Sequence, residues 1–277
     1  MDELYTLYRP CFPDYPAAEA VFRECLKRER GQVLYAGEGG ETVGYALIHG
    51  GSLSLLCVDR RYRNRGHGAA LLEAAETRIR ASGADRVLLG RGRYYLLQGV
   101  PAEDPAVPAF FERRGYAASW TSVNMRLDLR GFGAGRLDIP PAPETVGFRF
   151  ARDADRAALL AAVDDAQPDW RGVFTTCADP VLLAVEAGAV LGFAILSPGG
   201  GRFSPPGERD GCIGCVGVAG RARRRGIGRG MVVYGAEWLK SRGCTGVELR
   251  YVELVNWYRR IGFTVTRRQW MGEKALA

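Results

Sequence analysis

The sequence predicts an α/β fold with a mixed sheet, repeated twice in tandem along 277 residues. One observation is a strand, a basic glycine turn and a helix in succession over residues 216–243. A second is the same succession over 58–83, at an offset of 160 residues (218 − 58 = 160). A third is that both halves follow one order of elements around this turn. The matching positions are Val58, Arg63, Gly66, Gly68, Gly83 and Val87 in the first copy and Val218, Arg223, Gly226, Gly228, Gly243 and Val247 in the second.

Length and composition fit two ordinary globular domains. Hydrophobic residues make up 47% of the chain and charged residues 25%, which is typical of a protein with a packed core. The length accommodates two domains of about 130–140 residues. Residues 131–144 are dense in Gly and Pro, as linkers are. We therefore expect an N-terminal domain over 1–130, a linker over 131–144 and a C-terminal domain over 145–277.

Local signals predict the elements of the first half. Pro16 suits a first helical turn, the glycines of 37–40 indicate a hairpin turn, and Gly115 ends a short helix. No strand is evident before the opening helix, so this copy lacks the strand that opens the second. The expected elements are a short opening helix, a helix over 16–28, strands over 32–36, 41–49 and 52–58, a helix over 68–82, a strand over 86–90, a short helix from 109, and a strand over 122–129.

The second half repeats this order. Ile227, Met231, Tyr234 and Trp238 form one stripe of a 3.6-residue period, which predicts an amphipathic helix after the turn. The expected elements are a strand over 146–151, a helix through 164, a short helix over 170–177, strands over 181–186, 190–196 and 212–218, a helix to 240, a strand over 245–252, a helix over 255–261, and a strand over 263–269.

The two glycine turns have the chemistry of anion-binding sites. A turn between a strand and a helix points backbone N–H groups and the positive end of the helix dipole at one place, which suits a phosphate. Gly226 and Gly228 carry no Cβ and let a ligand approach the backbone. The alternative is a tight helix start with its arginines in solvent, but the second copy at Gly66 and Gly68 favours a ligand.

The motifs around these turns resemble the GCN5-related N-acetyltransferase superfamily. The pattern is Arg-x-x-Gly-x-Gly between a strand and a helix, then, after a further strand, an aromatic residue, three residues, and Gly-Phe or Gly-Tyr. It occurs with Tyr258 and Gly262 in the second half and with Phe111 and Gly115 in the first. The resemblance covers both halves except the first 30 residues or so, and it implies acetyl-CoA as co-substrate.

The resemblance also implies two donor-binding segments. In the second half, backbone groups of Val216 and Val218 would contact the acyl and pantetheine arm, and the turn would hold the pyrophosphate through Arg223, Arg224, Arg225, Gly226, Ile227 and Gly228. In the first half, a second site would consist of Val58, Arg63, Asn64, Arg65, Gly66, His67 and Gly68.

One aromatic position distinguishes the halves. Acyl transfer from a thioester to an amine benefits from a proton donor to the departing thiolate. The resemblance gives this role to Tyr258, whereas Phe111 occupies the corresponding position in the first half and has no hydroxyl. We therefore expect the C-terminal half to be active and the N-terminal half to be catalytically degenerate. A purely structural role for Tyr258, packed on the sheet, is the alternative.

The motifs do not identify the general base or the acceptor-binding site. In the family a Glu on or near the strand before the turn often accepts the amine proton, but residues 212–217 carry no carboxylate. The nearby carboxylates are Glu208, Asp210, Glu248 and Glu253, which we interpret as solvated charges. The acceptor-wall candidates are Asp169, Trp170 and Phe174, which would suit a cationic amine or would be ordinary surface and core.

Composition argues against several other classes. No apolar run reaches the roughly 20 residues of a membrane span, and no signal peptide is visible, so we expect a cytoplasmic protein. Seven irregularly spaced cysteines argue against a disulfide framework, and the pair Cys212 and Cys215 lacks the further ligands of a metal site, so no metal is expected. The net charge of +7 is concentrated at the two turns, which favours a small anionic ligand over nucleic acid.

The sequence thus predicts an acetyl-CoA-dependent N-acetyltransferase that acts by direct attack of an amine. The acceptor would be a small molecule or a peptide, without a nucleic-acid or membrane partner, and the protein would be a monomer or homodimer. The alternative is a non-catalytic acyl-CoA-binding or regulatory protein, which the missing strand carboxylate and Phe111 favour.

Overall fold

The computed structural model describes residues 2–29, 31–91, 95–118, 120–137 and 142–276. It forms two compact units: unit 1 comprises Met1–Val123 and Arg267–Ala277, and unit 2 comprises Asn124–Thr266. Each unit is an α/β structure with a mixed sheet, as the sequence predicts. The expected linker over 131–144 falls partly on 138–141, outside the described residues. None of the described helices has the length and hydropathy needed to cross a bilayer.

The helices and strands follow the predicted order. The first half forms α1 (Asp2–Cys11), α2 (Glu19–Glu29), β1 (Gln32–Glu38), β2 (Glu41–His49), β3 (Ser52–Val58), α3 (His67–Ala81), β4 (Arg86–Leu89), β5 (Val100–Pro101), α4 (Ala106–Glu112) and β6 (Thr121–Asp128). The second half forms β7 (Gly147–Phe150), α5 (Arg156–Ala166), α6 (Arg171–Thr176), β8 (Val181–Glu186), β9 (Ala189–Ser197), β10 (Asp210–Val218), α7 (Ile227–Ser241), β11 (Gly246–Leu249), α8 (Val255–Arg259), β12 (Thr264–Trp270) and β13 (Glu273–Ala275).

The sheet of unit 1 has the strand order β1-β2-β3-β4-β13. Only β3 and β4 run parallel, joined by α3, and the other neighbours are antiparallel. The predicted apolar face of α3 is confirmed, because Leu72, Ala75 and Ile79 are buried in the core of this unit. The chain opens with two helices, and no strand precedes them among the described residues of 2–31, as expected.

The sheet of unit 2 has the order β12-β6-β11-β10-β9-β8-β7. Here β10 and β11 are the parallel pair, joined by α7. The buried face of α7 includes Ile227, Met231 and Leu239. Tyr234 and Trp238 of the predicted stripe lie at its margin, where their rings pack against Phe148 and Phe150 of β7 at centroid distances of 5.7 and 4.9 Å. The predicted helix is therefore correct, and its core face is rotated from the predicted stripe.

The repeat extends to backbone conformation. Residues with positive φ cost energy unless they are glycine, so their recurrence at the 160-residue offset marks equivalent turns. The pairs are Asn64 (60°) with Arg224 (64°), Gly66 (91°) with Gly226 (78°), Gly83 (85°) with Gly243 (79°), and Arg91 (60°) with Tyr251 (56°).

Candidate functional site

Each glycine turn is held by an arginine bond to its own strand. Arg223 Nε donates to the carbonyl oxygen of Val218, the last residue of β10, at 3.1 Å. Arg63 Nε donates to the carbonyl oxygen of Val58, the last residue of β3, at 3.0 Å. This arginine therefore shapes the turn in both units, a role that the sequence pattern alone does not reveal.

A second arginine in each turn is paired with a glutamate. Arg225 makes a two-pronged bond to Glu186, with Nη1–Oε2 and Nη2–Oε1 distances of 2.9 and 2.7 Å. In unit 1, Glu38 accepts from Arg65 Nη1 at 2.8 Å and lies 2.6 Å from Nε2 of His67. Both glutamates directly precede a hairpin turn in the sequence. This shared position is the feature from which the pairing with the arginines could have been predicted.

The residue between these arginines differs in charge between the units. Arg224 is exposed at the tip of the turn, and no ion pair to it occurs among the described residues. Its counterpart Asn64 is neutral and also exposed. The turn of unit 2 therefore presents a cation to solvent, where the turn of unit 1 presents an amide.

The two glycines of the turn in unit 2 are explained by different features of the structure. Gly226 has a φ of 78°, which an L side chain adopts only with strain. Gly228 has no such constraint, because a Cβ there would meet Val218 and Trp257 at ordinary distances of 3.5 and 3.6 Å. Packing within the unit does not demand glycine at 228. Its missing side chain leaves the start of α7 open to a ligand.

The parallel strands beside each turn pair only at their beginnings. β10 pairs with β11 from Asp210 to Cys212, and then continues for six residues to Val218 without it. In unit 1 the β3–β4 pairing is confined to Ser52 and Leu53. The strands thus diverge toward the turn, and such a fork exposes unpaired backbone groups of β10 and β3.

A one-residue bulge accompanies the fork in unit 2. The register of β10 against β9 shifts between Gly214 and Gly217, and Cys215 has a φ of 49°. A non-glycine residue in this conformation is strained, and such strain is concentrated at functional sites. The bulge contains Val216 and precedes Val218, the two residues expected to contact the donor.

The fork of unit 1 opens on a cavity of about 640 Å³. This volume is within the range of small-molecule sites. The cavity is lined by the end of α1, by β3, by the glycine turn and by α4. Its wall includes Val58, Arg63, Asn64, Gly66, Gly68 and Phe111, so the structure brings most of the predicted second-site residues together around one space.

Tyr258 and Phe111 occupy corresponding places beside the turns. Phe110, next to Phe111, approaches Gly68, and Trp257, next to Tyr258, approaches Gly228. Phe111 is buried, whereas Tyr258 is half-buried, with its ring edge-on to Trp257 at 4.7 Å and to Phe263 at 5.6 Å.

Burial raises the pKa of Tyr258 to about 12, so the phenol is protonated throughout the physiological range. Its proton is held more tightly than an ordinary Tyr with a pKa of about 10 would hold it. Full transfer to a thiolate is therefore harder than the sequence suggests. Donation of a hydrogen bond to the departing sulfur does not need full transfer.

The four carboxylates near the fork have distinct environments, contrary to the expectation that all are solvated. Asp210 accepts from Arg126 Nε and Nη2 at 2.8 Å each, and Glu208 also accepts from Nη2. Glu253 is exposed. Glu248 is 3% exposed and accepts from the backbone N–H of Arg202 at 2.8 Å. Sequence reasoning missed this burial because the partners of Glu248, Arg202 and Asn124, lie on a loop and a strand distant in sequence.

The expected acceptor wall belongs mainly to the core of unit 2. Phe174 is buried edge-on against Phe193 at 4.9 Å, and Trp170 contacts the same ring at 6.5 Å. Asp169 is exposed and accepts a long bond from Gln167 at 3.5 Å. The aromatic pair therefore packs under β9, in agreement with the alternative that these residues belong to the core.

The cysteines are all free thiols. Burial raises the pKa of Cys212, and it raises that of Cys215 to about 12. A protonated, buried thiol is a poor nucleophile and a poor metal ligand. The pair thus has the properties of small hydrophobic residues in β10.

Comparisons with known proteins place both halves in one family. A sequence profile described as the Acetyltransferase (GNAT) family matches residues 1–116 and 149–263. A mycothiol acetyltransferase of Amycolatopsis mediterranei (strain U-32) is 32% identical over 264 residues, covering 84% of this chain and 81% of that protein. A second mycothiol acetyltransferase, of Nocardia farcinica (strain IFM 10152), is 30% identical, and the match covers 83% of this chain and 78% of that protein.

Solved structures show the same architecture. A GCN5-related glucosamine N-acetyltransferase region of a fungal multi-domain GH3 β-N-acetylglucosaminidase superposes with a TM-score of 0.85 at 25% identity, over 98% of this chain. The match spans only 36% of that longer chain. A tandem GNAT protein of the clavulanic acid biosynthesis pathway has a TM-score of 0.70 at 17% identity, over 99% of this chain and 95% of its own.

Proposed function

The chain belongs to the GNAT acetyltransferase family, and on this premise we propose that it transfers acetyl from acetyl-CoA to the amine of a small molecule, with the chemistry in unit 2. Acetyl-CoA is the acyl donor of this family. The observation that carries the proposal is the pairing of a phosphate-type turn with a hydroxyl beside it. Unit 2 has both, through Gly226 and Tyr258, whereas unit 1 has Phe111 in place of the hydroxyl.

The residues of the turn fit the donor in separate roles. Backbone N–H groups at the start of α7 would receive the pyrophosphate, since they point outward without intrahelical partners. Arg224, which is exposed and has no ion pair among the described residues, would add a cation at the tip of the turn. Arg223 and Arg225 keep the turn in shape through Val218 and Glu186, so their effect on the donor would be indirect. The fork would admit the pantetheine arm along Val216 and Val218.

Tyr258 would assist the leaving group. As the amine nitrogen bonds to the thioester carbon and the C–S bond breaks, charge collects on sulfur. A phenol hydrogen bond stabilises that charge, and the thiolate takes up the proton that the new amide loses. The role of proton donor is inferred from the family. The position of α8 beside Gly228 supports assigning this role to Tyr258.

The acceptor is proposed from the names of the relatives. Two classes follow from them: the substrate of mycothiol acetyltransferases and glucosamine. Both relatives match nearly the whole of this chain, which favours a small-molecule acceptor over a peptide. The mycothiol acetyltransferases share the higher sequence identity, so their substrate is the first candidate.

Unit 1 supports a second role. Its cavity joins the glycine turn to the fork, but Phe111 provides no proton donor. Binding of acyl-CoA without transfer would fit this combination. The unit would then contribute a binding or regulatory site beside the working one.

The test is an acetyl-transfer assay with donor-binding calorimetry. The wild-type protein should bind acetyl-CoA and release CoA thiol when either candidate acceptor is added. Arg224→Asn copies the charge of the unit 1 turn and should weaken donor binding about 10-fold, as expected for loss of one charged hydrogen bond. Arg221→Asn removes an exposed cation from the neighbouring turn and serves as the control. Absence of acetyl-CoA binding would refute the proposal.

A further inference from the structure

A polar cluster lies where β10 and β11 separate. Glu248 of β11 is the register partner of Cys212 of β10, and this is the last pair before the fork. Register partners in a sheet project from the same face. The side chains of Glu248 and Cys212 therefore lie on one face of the sheet, at the point where the two strands begin to separate.

The other carboxylates near the fork are less suitable for proton transfer. Asp210 and Glu208 are held in ion pairs by Arg126. Glu253 is exposed and outside the strand. Glu248 is buried, and its guanidinium contact within the described part of the chain, from Arg250, is 3.7 Å long and therefore not a short ion pair.

The two carboxylate oxygens of Glu248 differ in the hydrogen bonds that they accept. Oε2 accepts the backbone N–H of Arg202 at 2.8 Å, which anchors the carboxylate. From the residues that the structure describes, Oε1 accepts a single long bond, from Nδ2 of Asn124 at 3.5 Å. One oxygen is therefore fixed, and the other retains capacity to accept a further hydrogen.

Asn124 provides an independent sign of a ligand. Its side chain is fully buried in β6, and its carbonyl oxygen Oδ1 has no hydrogen-bond partner among the described residues. A buried acceptor without a partner is costly and uncommon in native proteins. An incoming N–H group would remove that cost, so Oδ1 and Glu248 Oε1 together form a site for a hydrogen donor.

We propose that Asn124 Oδ1 and Glu248 Oε1 form the acceptor-amine subsite of unit 2, with Glu248 as the general base. This proposal rests on the function proposed above. The acceptor enters as an ammonium, R–NH₃⁺, and one N–H proton passes to the Glu248 carboxylate. The neutral amine then attacks the thioester carbon, and CoA leaves with the proton that the nitrogen gives up on becoming an amide.

Charged and polar groups surround the Glu248 carboxylate. The guanidinium of Arg250 lies 3.7 Å from Oε2 of Glu248. Arg126, the register partner of Glu248 in β6, directs its guanidinium to Asp210 and Glu208. The Cys212 thiol is neutral because burial raises its pKa. Asn124 adds a positioning contact without charge, so an ammonium is attracted by the carboxylate and oriented by the amide.

The experiment compares Glu248→Gln and Asn124→Ala with the wild type, using glucosamine and acetyl-CoA and following release of CoA thiol between pH 6 and about 10. Glu248→Gln should lower kcat about 10²- to 10⁴-fold at neutral pH and leave the KM for acetyl-CoA unchanged. The deficit should shrink as pH rises, because the amine then loses its proton to solvent. Asn124→Ala should raise the KM for glucosamine about 10-fold.

The control is Glu144→Gln, which removes an exposed carboxylate from the same unit and should change nothing. A wild-type kcat in Glu248→Gln at every pH would overturn the proposal. A deficit that does not shrink with pH, accompanied by loss of thermal stability, would make Glu248 an anchor of the loop and would also overturn it. Failure of the wild type to turn over with either candidate acceptor would refute the proposed function, which is distinct from an active wild type with an unimpaired Glu248→Gln variant.

Discussion

Replacing Tyr258 by Phe should separate catalysis from folding. The substitution removes one hydroxyl that has no hydrogen-bond partner among the described residues. It keeps the ring that packs against Trp257 at 4.7 Å and Phe263 at 5.6 Å. We therefore expect the free energy of unfolding to change by less than about 0.5 kcal/mol. A proton donor contributes about 10²- to 10⁴-fold to rate, equivalent to about 3–5 kcal/mol of transition-state stabilisation.

The assay is steady-state release of CoA thiol with Tm measured in parallel. The expected result is a loss in kcat with an unchanged KM for acetyl-CoA and an unchanged Tm. Because burial raises the pKa of Tyr258 to about 12, its deprotonation should not limit the wild-type rate below about pH 11. Phe111→Tyr is the matched gain of a hydroxyl in unit 1 and should not restore activity to the variant. Equal rates for Tyr258→Phe and wild type would refute the role.

Two further predictions concern titration. The pKa of Glu186 is lowered to about 2, first by its hydrogen bond with Arg225. A carboxyl with a depressed pKa stabilises the fold above its unfolded pKa of about 4.3 and loses that contribution as pH falls toward 2. Arg225→Gln should therefore raise the Glu186 pKa toward its ordinary value in an NMR titration; an unchanged value would show that the ion pair is absent in solution. The pKa of Cys11 is lowered to about 7, first by a hydrogen bond with Cys57, whereas that of Cys215 is about 12. Alkylation followed by mass spectrometry at pH 7.5 should label Cys11 well before Cys215, and the reverse order would contradict these environments.

Local sequence signals identified most elements because they act over a few residues. The strands Glu41–His49, Ser52–Val58 and Val181–Glu186 are confirmed to the residue, since each is an apolar run bounded by turn residues. The glycine turns were recognisable for the same reason, and their duplication was visible in the sequence alone.

Short strands depended on partners that local sequence does not specify. Val100–Pro101 and Glu273–Ala275 are paired through Trp270 and Leu88 respectively, and both escaped prediction. Periodicity identifies a strand but not its neighbour. β6, expected as the last strand of the first copy, pairs with β11 in unit 2.

Strained backbone conformations were likewise not predictable from the sequence. The strand predicted over 245–252 ends at Leu249, and Tyr251 has a φ of 56°. Nothing in a tyrosine signals a left-handed conformation, which is typical of glycine and asparagine. The burial of Glu248 was missed for a related reason, because its environment depends on a loop and a strand distant in sequence.

The comparison that tests the central claim most directly is Gly226→Ala against Gly66→Ala. The two glycines hold equivalent positions with φ values of 78° and 91°, a left-handed conformation that an L side chain adopts only with strain. The substitutions therefore impose similar strain, on the order of 1–2 kcal/mol, on one turn or the other. If unit 2 is the working half, Gly226→Ala should lower kcat/KM for acetyl-CoA at least about 10-fold while Gly66→Ala stays within about twofold of wild type. Loss of activity in Gly66→Ala with retention in Gly226→Ala would contradict the account.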